Sequence, residues 1–312
     1  GIDRKKVKVL TSPKEIREDD IVILYNLFPN TFRGMDKARG KKIVSFLHFN
    51  GNNSDSDRIN SISPVALFNE VDLSQSCELY KRYYHIEAPW TVIPYIPAER
   101  FRRIKPFKER KNKAFSVGTI TYKTHKEFLE VYGDPCDQPI RKAVKDNPEF
   151  FKDTADSYSS DYLEDDKVLQ VKENDNSLFK FIKKAKNRFT IGKQKQYFSF
   201  DMVEKFNEYK MHIVGEEILG IPGIGFVEGM ACGSAYIGMD LPAYRDWGMI
   251  PGKHFITYDG TIEGLRDTIK FWQQPENQEK LETIANNGYE FVKSNFNSEK
   301  LSRKLLQGFY AI

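Results

Sequence analysis

The stretch "GEEILGIPGIGFVEGMACGSAYIGMD", Gly215 to Asp240, sets Gly220, Gly223 and Gly225 just ahead of one acid, Glu228. Glycines let a ligand come up to the backbone with no Cβ in the way. A Walker phosphate loop is excluded, because no Gly-Lys-Ser/Thr follows. The dinucleotide pattern G-x-G-x-x-G fits only through Gly223 and Gly225. Its third position, where a small residue lets helix and strand pack closely, holds Glu228. The remaining reading is a glycine loop feeding a helix that begins near Gly225 or Phe226, with free N–H groups able to face an anion. Glu228 would lie about one turn in, where its two oxygens match two vicinal hydroxyls such as those of a ribose. On residue types alone it could equally complement the helix dipole.

His48 is the other chemically suggestive side chain. It ends the apolar run "KKIVSFLHF" just before the polar loop "NGNNSD". A histidine at the carboxyl end of a strand faces the usual ligand crevice of an open α/β sheet, and its ordinary pKa suits proton transfer. "DSD" at Asp55–Asp57 reads as a solvated turn. His85, His125, His212 and His254 show no ligand spacing, and Cys77, Cys136 and Cys232 form no CxxC pair. No metal and no disulfide framework is expected.

Those residues need strands and helices in alternation. "DIVILYN", "KKIVSFLHFNG" and "PWTVIPYIP" read as buried strands, and "NEVDLSQS" with "ELYKRYY" as a short strand and a helix. A second series opens with "KAFSVGTITY", a strand ending at Gly118, and continues with the helix "SFDMVEKFNEYK" and the strand "MHIVG". Between them the acidic stretch 134–176 reads as a surface insertion, followed by an amphipathic helix "LFKFIKKAKNR" and a strand "FTIGK". The tail reads as three or more helices. Strands separated by helices predict parallel sheets.

The chain has 312 residues, more than one typical domain of ~150 residues. The basic tract "RFRRIKPFKERKNK", Arg100–Lys113, reads as a solvated linker or as a surface for an anionic membrane. A net charge of +4 forces no nucleic-acid partner. No apolar run reaches the ~18 residues of a membrane span, so a cytoplasmic location is expected.

Beyond these physical readings, "GIPGIGFVEGMACGSAYIG" resembles the donor-binding motif of the group 1 glycosyltransferases, a family with the two-domain GT-B fold. The run from "DLPAYRDWG" to "FVKSNFN" is similar to that family's C-terminal part, and "VIPYIPAERF" to the segment leaving its first domain. The likeness extends from about Lys113 to the end and is thinner before that. It implies an α/β, GT-B-like architecture: two Rossmann-like domains whose parallel sheets face a cleft. The implied divisions are 1–105 for an acceptor-side domain, 106–295 for a donor domain, and 296–312 for a C-terminal helix crossing back.

The resemblance also implies roles. Glu228 matches the acid on the donor ribose, and Gly223, Ile224 and Gly225 the loop at the donor sugar. "SVGTITYK", with Gly118, Thr119 and Lys123, takes the place that grips the diphosphate, and Gly192 and Lys193 join the donor-binding set. His48 stands where the family has a catalytic histidine. Two departures stand out. The family's earlier acid, eight residues before the ribose glutamate, is Gly220 here, with Glu216 and Glu217 nearby but out of register. Its arginine after the strand glycine is Thr119, so phosphate neutralisation passes to Lys123, or to Lys126, Arg188 or Lys193.

The expected activity is transfer of a hexosyl or pentosyl group from a nucleotide-diphosphate sugar to a glycan or other hydroxyl acceptor, with no cofactor required. An epimerase on the same fold, or a non-catalytic nucleotide-sugar-binding domain, is the alternative.

Overall fold

The computed structural model describes residues 7–25, 33–47, 49, 54–162 and 200–311. Two parallel sheets dominate. The first has the order β1-β2-β3-β4, with β1 at Ile21–Leu24, β2 at Lys41–Ser45, β3 at Ala66–Asn69 and β4 at Trp90–Val92. Registers such as Ile43 beside Ala66 and Phe68 beside Thr91 show all four strands running together. Parallel strands need crossovers, supplied here by α1 (Ser54–Ser61) and the pair α2 (Leu73–Ser76) and α3 (Glu78–Tyr83). Asp72 caps α2 by accepting from the Ser74 N–H at 2.9 Å.

The second sheet has the order β11-β10-β9-β5-β7. Its strands are β5 (Lys111–Ser116), β7 (Ala155–Ser157), β9 (Tyr209–Ile213), β10 (Ala235–Met239) and β11 (Ile256–Tyr258). A two-stranded ribbon of β6 (Thr119–Ile120) and β8 (Ser160–Asp161) lies beyond it. α4 (Lys126–Tyr132), α5 (Pro139–Asp146), α6 (Pro148–Phe151) and α7 (Met202–Glu208) connect these strands. α8 (Gly225–Ala231) follows the glycine loop, and α9 (Pro242–Asp246), α10 (Ile262–Gln273), α11 (Gln278–Asn295) and α12 (Ser298–Tyr310) complete the chain.

Strand alternation sets the cores. Ala66 and Phe68 of β3 point to one face, where the last helix, α12, lies across the first sheet with Phe309 and Phe68 ring centroids 5.8 Å apart. Leu67 points to the other face and into an apolar cluster continuous with Phe226, Tyr244 and Trp247 of the second half. One core therefore passes through the contact between the halves. No helix among the described residues is long and apolar enough to cross a membrane.

Three expectations are corrected. The acidic stretch after Asp134 is no surface insertion over its described part: α5, α6 and β7 complete the second sheet, and Asp137, Gln138, Arg141 and Thr154 are buried. Charged residues sit there on helix faces that also carry Ile140, Val144 and Phe151 into the core. Asp55 and Asp57 lie in helix α1 rather than a turn. The basic tract is no free linker either. The Arg110 guanidinium is buried and donates to the carbonyls of Lys105 (2.8 Å) and Cys232 (2.9 Å) and to Asn207 (3.0 Å). Arg103 lies over the ring of Tyr289 at 3.8 Å.

Candidate functional site

The glycine loop is built from the end of β9. Val214 and Gly215 are buried, and the chain then turns tightly, with the Gly220 N–H donating to the Glu217 carbonyl at 2.8 Å. Gly220 has φ +76, a left-handed conformation suited to glycine. A Cβ there would stand 2.5 Å from the carbonyl oxygen of Ser76 in α2. The position where the family resemblance leads one to look for an acid is thus a close backbone contact between the two halves.

After Ile221 and Pro222, which are buried, Gly223, Ile224 and Gly225 open to solvent, with Ile224 45% exposed, before the chain is buried again at Phe226. α8 begins at Gly225, as the sequence predicts. The close approach of helix and strand is made one place beyond Glu228. A Cβ on Gly229 would overlap the ring of His212, and His212 Nε2 lies 3.2 Å from the Phe226 carbonyl. Burial holds the His212 pKa down to about 3, so this is a neutral core histidine. Packing through Gly229 leaves Glu228 free to occupy the third-glycine position. Its carboxyl is pushed up to about 7 by burial, eased by the charge of Arg100.

Glu216 supports the loop from beneath. Its Oε1 accepts from the hydroxyls of Tyr236 and Tyr244, both at 2.9 Å, and from the Met239 N–H at 2.8 Å. Burial pushes its pKa up. It serves the core, not the cleft.

The second glycine position, Gly118, follows β5 with φ +136. A Cβ there would meet the Arg141 guanidinium carbon at 2.5 Å, and one on Gly223 would meet Arg141 Nη2 at 3.3 Å. Arg141 therefore stands between Gly118 and Gly223. It donates to the carbonyls of Val214 (2.7 Å), Gly215 (3.3 Å) and Thr119. Sequence reasoning missed this residue because it lies in the stretch taken for an insertion; Ile140 and Val144, flanking it on α5, were the available signal. Thr119 is joined to the site through its carbonyl. Lys123, expected on the phosphate, is paired with the buried Asp137 at 3.1 Å and is 14% exposed. Lys126 lies at the surface beside Glu130 at 3.4 Å. Gly192, Lys193, Arg188 and His48 lie outside the described residues, and β2 ends at Ser45, three places before His48.

The structure thus brings Gly118, Thr119 and Gly223 around Arg141, with Ile224, Gly225 and Glu228 continuing along the same loop and helix. From the first sheet, Glu70 and Tyr95 face this region, and the Trp247 indole N–H donates to the Glu70 carbonyl at 3.0 Å.

No protein-family model matches the chain, and no curated protein matches it. Solved structures do. Sucrose-phosphate synthase from Thermosynechococcus elongatus aligns with a TM-score of 0.57 at 12% identity, over 93% of this chain and 73% of that one. HepE of Anabaena, in complex with UDP-glucose, gives 0.55 at 13% identity over 94% and 79%. A glycosyltransferase from Rickettsia africae gives 0.53 at 13% over 93% and 76%. The chain has the GT-B fold. In GT-B terms, β1 to β4 form one Rossmann-like sheet and β5, β7 and β9 to β11 the other. The carboxyl ends of their strands, where open α/β sheets take ligands, carry Glu70 on one side and the two glycine loops on the other.

Proposed function

We propose that the protein is a glycosyltransferase that moves a sugar from a nucleotide-diphosphate donor to a hydroxyl acceptor. One observation carries this reading: a guanidinium, Arg141, lies against both Gly118 and Gly223 in a GT-B fold. The complex of the similarly folded HepE with UDP-glucose supports it. The donor's diphosphate would lie beside Gly118 and Gly223, whose missing side chains make room for the Arg141 guanidinium, and that fixed charge would meet the charge that grows on the leaving group. Lys123, tied to Asp137, would add to that potential. Glu228 would accept from the ribose hydroxyls, the two being in reach once Gly223–Gly225 carries the phosphates. Gly192, Lys193 and His48 keep the donor-binding and catalytic roles that the resemblance implies.

Functional divisions follow: 1–105 for the acceptor, 106–295 for the donor, and 296–312 tying the two together. A hexosyl or pentosyl donor, a glycan acceptor and a cytoplasmic location without a required metal complete the proposal. Arg100, Arg102 and Lys108, exposed on the basic tract, would be what remains of it for an anionic membrane.

Nucleotide release tests this reading. UDP-glucose, UDP-N-acetylglucosamine and GDP-mannose are each incubated with the protein and a mixture of simple sugars. Release of nucleoside diphosphate from one donor, coupled to a new glycoside, is expected. Conversion of the donor to an epimer without nucleotide release would replace the transferase with the alternative enzyme.

A further inference from the structure

The chain between the two sheets is pinned at three backbone groups by two buried side chains. Asn207 of α7 accepts the Ile104 N–H at its Oδ1 (2.9 Å) and donates from Nδ2 to the Arg102 carbonyl (3.0 Å). Arg110 donates twice to the Lys105 carbonyl, at 2.8 and 3.2 Å, and once to the same Asn207 Oδ1. Between them Arg103 lies over the Tyr289 ring and against Gly233, where a Cβ would overlap its Nε. The backbone from Arg102 to Lys105 is therefore fixed on the second half. At its centre Ile104 is 54% exposed and belongs to none of the apolar clusters among the described residues. One exposed isoleucine is ordinary on a surface. This one stands out on a backbone held by Asn207 and Arg110, whose hydrogen bonds would hold the loop equally well around a serine. Arg102, Pro106 and Lys108 beside it are exposed and Lys105 half-buried. No carboxylate among the described residues pairs with Arg102, Lys105 or Lys108. The acids of the tract, Glu99 and Glu109, stand outside the segment at either end. Arg100 is directed elsewhere, since its charge acts on Glu228.

We propose that Arg102–Lys108 is a docking face for an anionic phospholipid bilayer, with Ile104 entering the boundary between headgroups and acyl chains while Arg102, Lys105 and Lys108 meet lipid phosphates. This rests on the membrane contact included in the functional reading above and on no part of the sugar transfer. It gives that contact a fixed point of attachment. An apolar side chain alone favours any bilayer, and cations alone favour any polyanion; the two together select a lipid surface of negative charge. The rigid mount matters because a loop already ordered loses little conformational freedom on docking. The face also has a set place relative to the donor loop. α8 runs from Gly225 to Ala231, and Arg110 and Arg103 meet the chain just past its end, at Cys232 and Gly233. The docking face and the glycine loop therefore lie at opposite ends of one short helix, about 10 Å apart along its axis.

The test is co-sedimentation of the full chain with vesicles of phosphatidylcholine alone and of phosphatidylcholine with about 30% phosphatidylglycerol, at low salt and at about 0.5 M salt. Binding to the mixed vesicles, weak binding to phosphatidylcholine and partial release by salt are expected. Ile104→Ser should weaken the partition about tenfold, the loss expected when one large aliphatic side chain no longer leaves water. Arg102→Glu with Lys108→Glu should weaken it about 100-fold, since two attractions become two repulsions. Both variants should keep the melting temperature of the parent within about 2 °C, which separates lost docking from lost folding. Unchanged binding in Ile104→Ser would overturn the insertion, and equal binding to the two kinds of vesicle would overturn the anionic preference. No binding to either vesicle, or retention of a single-stranded RNA in place of vesicles, would overturn the membrane face and the membrane contact with it. UDP titration in solution, without lipid, reads the donor site separately, so its failure would leave this face standing.

Discussion

Replacing Gly220 by alanine tests a close backbone contact between the two halves. Two penalties add at this position. A side chain in the left-handed region costs about 1 kcal/mol. The new Cβ would also stand 2.5 Å from the Ser76 carbonyl oxygen, whereas ordinary contact begins near 3.4 Å, so the turn and α2 must separate by about 0.9 Å. Overpacking of that kind costs about 1–3 kcal/mol. The sum is about 2–4 kcal/mol, and at roughly 2 °C per kcal/mol for a chain of this size the melting temperature should fall by about 4–8 °C. Gly252→Ala is the control. Gly252 has φ +73, but no atom lies within 4 Å of where its Cβ would stand, so it carries the first penalty alone, about 2 °C. Thermal melts of the two variants beside the parent give the difference directly. Equal losses in Gly220→Ala and Gly252→Ala would refute the claim that this turn is pressed against α2.

Glu70→Gln should change stability with pH in a set direction. The folded-state pKa of Glu70 is raised from 4.5 to about 7, so the folded protein is penalised as pH rises through that window. The neutral variant should gain about 1–3 kcal/mol at pH 8.5 and nothing near pH 4.5, as read from denaturant melts at the two pH values. Arg141→Met leaves the carbonyls of Thr119, Val214 and Gly215 without this donor and should destabilise by about 3–5 kcal/mol in the same melts. Glu216→Ala leaves the Tyr236 and Tyr244 hydroxyls with only their mutual hydrogen bond and strands the Met239 N–H, and should cost about 3–5 kcal/mol, whereas Glu216→Gln, which keeps an acceptor, should recover more than half of that.

The fold was legible because its strands are short apolar runs closed by turn residues. "DIVILYN" contains β1, "KKIVSFLHF" contains β2, and "MHIVG" overlaps β9. The start of α8 at Gly225 could also be read, since a glycine pair followed by an apolar-and-small run leaves few alternatives. What could not be read was pairing between distant segments. Arg141 reaches Gly118 and Gly223 only because α5 lies on β5 and β7, and local acidity around it masked the helix. Lys123 looked like a free cation until Asp137, fourteen residues on, was placed beside it. Gly220 looked like a missing acid, but the reason for glycine lies at Ser76, on the other half of the molecule. Glu216 and Glu217 are neighbours in the chain with opposite surroundings, one in the core and one at the cleft, because the strand ends between a buried pair of tyrosines and the turn that follows.

The central claim is that the loop Gly223–Gly225, with Gly118, Arg141 and Glu228, holds a nucleoside diphosphate. Calorimetric titration of UDP and GDP into the full chain, and into Glu228→Ala, tests it most directly. One nucleotide should bind saturably at one site per chain, and the variant should bind it about tenfold or more weakly, the loss expected for a charged hydrogen-bond partner worth about 1.5–3 kcal/mol. No saturable heat with either nucleotide, or equal affinity in Glu228→Ala, would contradict it.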